Sequence, residues 1–296
     1  MTPIDRHYSR GAVNCGRRFG EGAHAAYGLL GAIEPGLCID VGAAIGQTLD
    51  RILAHNPLAR VIAYEPFPGN LPYLARSARG RSQVTLRPVA VADRAGTERF
   101  VVGRTVKGDE TPDAKKVRGY SPLGHLGGRE GQRATLDVEV VTLDGEIREH
   151  VRFLKIDVQG SELRVLKGAS RLIDEFGIDI VHVEFNGSYA ALKFLRAKRY
   201  VLFDCAYLAW PTRRYFRNWF RARPDRLVPS WPIIDQGPSP MALHQALTWP
   251  RVPVRSFGFY CTWFFLNRLF RSGLQTDLLC VHEDFLSRFL KALDHA

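Results

Sequence analysis

The feature that most constrains the fold is the stretch from Cys38 to Thr48. A short apolar run ends at Asp40, passes through Gly42 and Gly46, and continues as a helical pattern. This order predicts a buried parallel strand, a tight turn and a helix N-terminus, where open α/β sheets bind nucleotide-like cofactors. The spacing is DxGxxxG, whereas a dinucleotide fingerprint is GxGxxG. Asp40 disfavours a pyrophosphate, so the pattern favours a cofactor with a cationic end and no phosphate, of which S-adenosylmethionine (SAM) is an example.

Strand and helix patterns alternate through the following residues, which predicts an α/β fold. We expect a Rossmann-like, seven-stranded, mostly parallel sheet with helices on both faces. The predicted strands are 37–41, 60–65, 84–89, 136–141, 151–157, 178–185, 200–205 and 277–282. The predicted helices are 21–33, 46–55, 70–79, 161–176, 188–197 and 284–293, with Ser161 as an N-cap. The last two strands are expected to form an antiparallel pair.

Four regions follow from this pattern. Residues 1–35 form an N-terminal helical segment, 36–206 the cofactor-binding core, 207–275 a large insertion between the last two strands, and 276–296 the last strand and helix. Residues 103–134 lack a clean period and are rich in Gly, Lys and Arg, so we expect a long surface loop there.

The insertion differs from the rest of the chain in composition. The whole chain carries a formal charge of +11, and residues 207–275 hold ten arginines, no lysine and two aspartates. The same segment contains all five tryptophans. Arginine binds phosphate and carboxylate, and aromatic rings stack on sugars or bases, so the insertion is expected to act as a cap that binds an acidic or phosphate-bearing acceptor. A solvated basic face with buried aromatics, or peripheral contact with anionic lipid through 252–271, stays open.

Other features of the composition narrow the class of protein. Apolar residues make up 46% and charged residues 24%, as in ordinary globular chains. No apolar run is long enough to predict a membrane span, and the N-terminus has no apolar signal-peptide region. The five cysteines lack CxxC spacing, which predicts buried thiols in a reducing cytoplasm and disfavours a zinc site.

Two further acids are expected at the carboxyl ends of strands. Glu65, followed by Pro66, ends the second strand and is placed to accept hydrogen bonds from ribose hydroxyls. It fits SAM and NAD equally, but Asp40 and the absent GxGxxG count against NAD. Asp157 ends another apolar strand, where it would orient an acceptor hydroxyl, hold a metal or lie near a sulfonium. Lys155 shares its side of the strand and faces either the acceptor or an ion pair with Asp157 or Glu184.

Several runs together resemble the FkbM family of SAM-dependent methyltransferases. They are Asp40 to Gln47, Glu65-Pro66, Ala90 to Asp93, Val141 to Asp144 and Leu154 to Gly168, and the likeness covers about residues 37–205. The resemblance implies a class I methyltransferase fold and methyl transfer to a hydroxyl of a sugar, glycan or natural product. The chain departs from the family at Gln159, where the family usually has Glu.

The resemblance and the motifs together give the expected site. The cofactor-binding residues are Asp40, Val41, Gly42, Ala43, Gly46, Gln47, Thr48, Glu65, Pro66, Val91, Ala92 and Asp157, with 89–92 against the adenine. The acceptor-binding residues are Lys155, Asn186, Trp210, Arg213, Arg214, Arg217 and Trp219. Candidates for a base are Asp157, Glu184 and His125. A divalent metal on Asp157, Glu184 and Asn186 stays open, since oxygen ligands suit magnesium.

Two other functions stay open beside methyl transfer to a small-molecule or glycan acceptor. A nucleic-acid methyltransferase would explain the basic and aromatic residues together and would bind with steep salt dependence. A non-catalytic protein with a SAM-binding fold would bind the cofactor without turnover, and Gln159 is the residue that supports it. The sequence predicts neither an oligomeric state nor which hydroxyl is modified.

Overall fold

The computed structural model describes residues 27, 29–102, 124–127, 135–185, 188–204 and 276–294. Within these residues eleven strands form two sheets. In chain order they are β1 (Leu37–Val41), β2 (Arg60–Tyr64), β3 (Val84–Arg87), β4 (Ala90–Val91), β5 (Gly96–Val101), β6 (His125–Leu126), β7 (Thr135–Val141), β8 (Val151–Ile156), β9 (Ile178–Phe185), β10 (Tyr200–Asp204) and β11 (Thr276–His282).

The larger sheet has seven strands in the order β10-β11-β9-β8-β1-β2-β3. Strand β11 runs antiparallel to both β9 and β10, and the remaining neighbours pair in parallel. The sequence prediction of a mostly parallel sheet that ends in an antiparallel pair is confirmed. Because β1, β2, β8 and β9 are parallel neighbours, their carboxyl ends meet at one edge, where ligands bind in open α/β sheets.

Helices cover both faces of this sheet. They are a 3-10 helix (Leu29–Ala32) and α1 (Gln47–His55), α2 (Leu71–Ala78), α3 (Leu143–Glu146), α4 (Glu162–Lys167), α5 (Ser170–Glu175), α6 (Tyr189–Ala197) and α7 (Glu283–Asp294). Apolar residues of α1, α2 and α7 pack with alternate strand residues on one face, and those of α4, α5 and α6 pack on the other. The period-two alternation of the strands therefore supplies two separate apolar cores.

The single helix predicted over 161–176 is wrong, because the chain forms α4 and α5 with a break at Gly168. A Cβ on Gly168 would lie 2.0 Å from the carbonyl oxygen of Ala92, so the backbone at Gly168 approaches the residue after β4 too closely for any side chain. Beyond the break, the Asp144 carboxylate accepts the N–H groups of Arg171 and Leu172 at the start of α5. Ser161 does occupy the N-cap of α4, but its side chain makes no capping hydrogen bond.

The four-stranded sheet, in the order β4-β7-β5-β6, was not predicted. The run predicted as one strand over 84–89 stops at Arg87, and 90–91 instead pair with β7. Within the predicted loop 103–134, residues 125–126 form β6 and pair with β5, so the loop prediction is wrong there. The ring of Phe100 on β5 stacks on Phe67, with centroids 6.3 Å apart. The smaller sheet thus packs on the segment that follows β2.

The N-terminal prediction is tested over a few residues only. Leu29–Ala32 form a 3-10 helix within the predicted helix 21–33, and 21–26 lie outside the described residues. The side-chain amide of Asn56 donates to the carbonyls of Leu30 and Ile33 at 3.0 and 3.3 Å, which ties this helix to the end of α1. Among the helices that the structure describes, none combines the length and apolar character needed to cross a membrane.

Candidate functional site

In the turn after β1, most backbone N–H groups donate hydrogen bonds to other atoms of the protein. The N–H groups of Gly42 and Ala43 both donate to the Tyr64 carbonyl at 3.0 Å, and that of Gly46 donates to Ala43 at 2.9 Å. The N–H of Ala44 donates to the Glu65 carboxylate at 2.8 Å. A pyrophosphate-binding turn presents such groups to the ligand. Four of the five N–H groups from Gly42 to Gly46 thus have acceptors within the protein, so the geometry does not favour an anionic group at this turn.

The two glycines of the turn are required by close packing. Gly42 has φ +79°, and a Cβ there would lie 1.9 Å from the Asp157 carbonyl oxygen. Gly46 has φ +93°, and a Cβ there would lie 2.7 Å from Ser77 Cβ on α2. Ala44, between them, also has a positive φ of 48°. Gly46 therefore allows α1 to pack against α2, and Gly42 allows the turn to lie against the end of β8.

Glu65 joins the end of β2 to the glycine turn. One carboxylate oxygen accepts the Ala44 N–H and the other accepts the Phe67 N–H, each at 2.8 Å. The residue is 4% exposed, and this burial raises its pKa to about 7, although the two N–H donors and a hydrogen bond with the Asn70 side chain lower it. A carboxylate has about four acceptor positions, so about one remains beyond these three hydrogen bonds. The acid is thus fixed in position and keeps acceptor capacity for a hydroxyl.

The raised pKa of Glu65 predicts a pH-dependent stability. A carboxyl whose pKa is higher in the folded than in the unfolded state stabilises fully below the unfolded value, and this contribution is lost as the pH rises through the folded value. From about pH 4 to about pH 8 we expect the wild type to lose on the order of 2–3 kcal/mol relative to Glu65→Gln. Urea unfolding of both proteins across that range measures it. Parallel pH curves would contradict the buried, protonatable Glu65.

Lys155 lies under the same turn. Its side chain is 7% exposed, and its Nζ donates to the Gly42 carbonyl at 2.8 Å. The same Nζ lies 3.2 Å from Asp40 Oδ1 and 3.8 Å from Asp157 Oδ2. The predicted pairing with Asp157 is therefore present, and Asp40 is a nearer partner. Lys155 is thus buried and bound to the backbone of the turn. A residue that binds the acceptor is expected to be exposed to it, so this placement differs from the predicted one.

Burial and neighbouring charges shift the pKa values of Lys155 and Asp40 in opposite directions. Burial by itself lowers the pKa of Lys155, but the carboxylates of Asp40 and Asp157 outweigh it and raise that pKa above its ordinary value. Burial raises the pKa of Asp40, which is 0% exposed, and Lys155 opposes that shift. Asp40 is thus a buried partner of Lys155, without surface of its own for direct contact with a cofactor.

Two uncharged aromatic side chains, His182 and Tyr27, lie next to the ion pair of Lys155 and Asp40. His182 lies opposite Lys155 in the register of β8 and β9, and its ring centroid is 5.3 Å from that of Tyr27. Burial, followed by the charge of Lys155, lowers the pKa of His182 to about 3. Neither ring nitrogen has a hydrogen-bond partner among the described residues. His182 therefore stays uncharged at neutral pH, so Lys155 and not His182 neutralises the charge of Asp40.

Asp157 and Glu184 meet at the carboxyl ends of β8 and β9. The Asp157 side chain is 42% exposed, which leaves it open to a ligand. Burial, and then the charges of Asp157, Glu162 and Asp277, raise the pKa of Glu184 to about 9. Gln159 Nε2 donates to both Asp157 and Glu184. Within the described ranges, no group of three or more His, Cys, Asp or Glu side chains has the arrangement to hold a metal ion.

The predicted adenine-binding segment runs into the smaller sheet. Val91 is buried in β4, and the N–H of Ala92 donates to the Val141 carbonyl at 2.9 Å. The carbonyl of Ala92 packs against Gly168. The N–H and the carbonyl of Ala92 are therefore both in contact with protein atoms. An adenine contact at this segment would depend on its other atoms.

The remaining predicted residues are placed as follows. Val41 accepts the Asp157 N–H at 3.1 Å, which joins β1 to the end of β8. Gln47 and Thr48 begin α1, and Pro66 follows Glu65. His125 pairs with Val101 in the smaller sheet, whereas Asp157 and Glu184 belong to the carboxyl ends of β8 and β9 in the larger sheet. The acceptor residues Asn186, Trp210, Arg213, Arg214, Arg217 and Trp219 lie outside the described residues.

Sequence reasoning did not reveal the contacts that Ala44 and Gln159 make in the site. Ala44 contributes through its backbone N–H, which no side-chain pattern reveals. Gln159 was noticed as a departure from the family pattern, but its hydrogen bonds to two strand ends depend on a positive φ of 55°. A non-glycine residue in this conformation before a glycine leaves no reliable signal in a single sequence.

Several solved structures are similar to the chain. The FkbM methyltransferase from Methylobacillus flagellatus KT is 20% identical, with a TM-score of 0.39, over 58% of this chain and 40% of that one. The chain thus spans less than half the length of that relative. StiE O-MT is 10% identical over 90% of this chain and 76% of its own, with a TM-score of 0.38. The plantazolicin methyltransferase BpumL, in complex with S-adenosylhomocysteine (SAH) and a monoazolic desmethylPZN analog, is 12% identical over 95% and 91%, with a TM-score of 0.33.

The family assignment comes from the sequence model of one domain. Comparison with curated proteins gives no match. The methyltransferase FkbM domain matches residues 40–208, which is more than half of the chain and includes the glycine turn, Glu65, Lys155 and Asp157. This range also contains the edge of the sheet at which those residues meet. The chain therefore belongs to the FkbM family of methyltransferases.

Proposed function

We propose that the protein transfers the methyl group of SAM to a hydroxyl of a sugar, glycan or natural product. The observation that carries this proposal is the glycine turn, in which four of the five N–H groups have acceptors within the protein while Glu65 lies beside it. This arrangement suits a ribose without a pyrophosphate, which favours SAM over NAD. Membership of a methyltransferase family supports the same choice.

The residues present fit that cofactor. Glu65 has acceptor capacity for a ribose hydroxyl, and the turn from Gly42 to Gly46 lies beside it. Asp157, at the end of the neighbouring strand, is a carboxylate suited to the cationic methionine end. When bound, SAM supplies an electrophilic methyl group. The chain's own contribution is to align donor and acceptor, because methyl transfer gains most from orientation.

Asp157 is the residue that we propose to orient the acceptor hydroxyl and to take its proton. It is partly exposed, whereas Asp40 and Lys155 are buried. Glu184 has a pKa of about 9, so at neutral pH it holds a proton and serves as a hydrogen-bond donor rather than a base. The pair therefore offers one hydrogen-bond acceptor and one hydrogen-bond donor to the molecule that receives the methyl group.

The charge of the chain supports an acidic or phosphate-bearing acceptor. The formal charge is +11, with ten arginines in 207–275. Guanidinium groups bind phosphate and carboxylate in a forked geometry, and the interleaved tryptophans suit sugar rings. We place the reaction in the cytoplasm, where thiols such as those of Cys38 and Cys280, both free and buried, persist.

Two measurements test the proposed function. SAH is expected to raise the melting temperature by several degrees at saturating concentration, and NAD to leave it unchanged. Incubation with methyl-labelled SAM should then label a fraction from sugar, glycolipid or natural-product pools. Stabilisation by NAD alone would contradict the cofactor. Labelling confined to nucleic acid would contradict the acceptor class, and SAH binding without labelling of any pool would indicate a non-catalytic protein.

A further inference from the structure

The loop after β8 places one amide between two carboxyl groups. Gln159 Nε2 donates to Asp157 Oδ1 at 2.8 Å and to Glu184 Oε2 at 3.1 Å. The amide nitrogen has two hydrogens, so both are used. Asp157 follows β8 and Glu184 lies near the end of β9, so one side chain joins two neighbouring strand ends at the proposed site.

The backbone of this loop is held in a conformation that non-glycine residues rarely adopt. Gln159 has φ 55° and Gly160 has φ 109°. The carboxylate of Glu162 accepts the Gly160 N–H at 2.8 Å and the Val158 N–H at 3.3 Å, which fixes the loop from the side of α4. Strained residues persist where the surroundings determine them, and they gather at functional sites. The loop therefore presents the Gln159 amide in a fixed orientation.

The charges around the amide explain why its chemistry matters. The titratable groups that act on Glu184 are Asp157, Glu162, Asp277 and Lys155. Three of these four are acids, and the Lys155 ammonium lies 3.8 Å from Asp157. A neutral group with two donors can hold two carboxyls together in such surroundings. A third carboxyl in its place would add repulsion, and an apolar side chain would leave both carboxyls without this donor.

We propose that Gln159 is a positioning residue that fixes the Asp157 and Glu184 carboxyls against the sulfonium end of SAM. This inference rests on the proposed function. SAM and SAH differ at the sulfur, which carries a positive charge and the methyl group in SAM and no charge in SAH. The Asp157 carboxylate held at that sulfur favours the charged ligand. Gln159 therefore contributes to the affinity for SAM and little to that for SAH.

The direct test is Gln159→Met, which keeps the length of the side chain and removes both donors. Titration calorimetry should show the Kd of SAM rising about tenfold while that of SAH changes less than about threefold. Gln83→Met is the matched control. Gln83 directly precedes β3 and donates to the Pro57 carbonyl, so it lies at the amino ends of the parallel strands and not at the carboxyl ends that carry the proposed site. Equal weakening of SAM and SAH, or no weakening, would overturn the proposal. A wild type that binds neither ligand would instead refute the proposed function.

A second test needs no ligand. In Gln159→Glu the new carboxyl lies beside the Asp157 carboxylate, which raises the folded pKa of the new group, so its protonated form is stable at low pH and the repulsion grows as the pH rises. The ratio of folded to unfolded protein should fall by a further factor of about ten between about pH 5 and about pH 8, relative to Gln83→Glu. The double variant with Asp157→Asn returns an amide donor to the pair and should recover most of that loss. Identical pH curves for Gln159→Glu and Gln83→Glu would overturn the contact.

Discussion

Gly42→Ala is expected to destabilise the protein by about 3–5 kcal/mol, or to prevent folding. A methyl group at this position would lie 1.9 Å from the Asp157 carbonyl oxygen, where ordinary contact begins at 3.4 Å. The turn must then move away from the end of β8, or β8 must move. Either movement disturbs the Lys155 contact with the Gly42 carbonyl, so the effect extends to the buried ion pair.

Gly80→Ala is the matched control for Gly42→Ala. Gly80 has φ +75°, close to the +79° of Gly42, but a Cβ at Gly80 meets no atom within 4 Å. The control therefore measures the cost of the left-handed conformation alone, about 1–2 kcal/mol. Urea unfolding of both variants separates conformational strain from overlap. Equal destabilisation would mean that the close approach between the glycine turn and Asp157 does not exist in the folded protein.

The same pair of variants also tests the role of the turn in cofactor binding. Where Gly42→Ala still folds, its Kd for SAH should rise at least about tenfold, since the turn and Glu65 are joined through Ala44 and shift together. Gly80→Ala should bind SAH as the wild type does. Unchanged SAH affinity in a folded Gly42→Ala variant would place the ligand away from this turn.

The strand–turn–helix at Cys38 to Thr48 was predictable because its signals are local. An apolar strand, an acid and two spaced glycines lie within one stretch, and each signal predicts the same structure. The mostly parallel character of the sheet followed from the alternation of elements and from the rule that parallel strands need long crossovers. The position of Glu65 was predictable for the same reason, since it directly follows the apolar strand β2.

The smaller sheet and the polar contacts of the site were not predictable, because they depend on residues far apart in sequence. Strand β5 has the sequence of Gly96–Val101, in which charged residues hide the period of a strand. Asp40 was expected to face a cofactor, but its register opposite Lys155 places the two in an ion pair beneath the turn. The pairing of strands decides which partner a buried charge finds, and a single sequence does not give that register.

Lys155→Met is expected to cost about 3–5 kcal/mol, since it leaves Asp40 buried without its cation. Asp40 is 0% exposed, and within the described residues its carboxylate oxygens lack hydrogen-bond donors apart from this ion pair. Lys198→Met is the matched control. Lys198 pairs with Asp174, whose side chain is 58% exposed, and such pairs contribute about 1 kcal/mol or less.

The cost of Lys155→Met should depend on pH. Without the ammonium, burial raises the pKa of Asp40 further, so Asp40 is protonated and tolerated at low pH, and the cost grows as the pH rises through that raised value. His182 acts in the same direction, because loss of Lys155 removes a charge that lowers its pKa. Urea unfolding at about pH 5 and about pH 8 should therefore show the larger deficit at the higher pH. A deficit that is equal at both would contradict a buried Asp40 charge.

The double variant Asp40→Asn with Lys155→Met separates charge compensation from support of the turn. Removing both charges removes the buried-charge penalty, so most of the lost stability should return. The Gly42 carbonyl still lacks the donor that Lys155 provides at 2.8 Å, so SAH affinity should stay below that of Asp40→Asn alone. Recovery of both stability and affinity would show that Lys155 only neutralises Asp40. Recovery of stability alone would show that the same ammonium also holds the cofactor-binding turn in place.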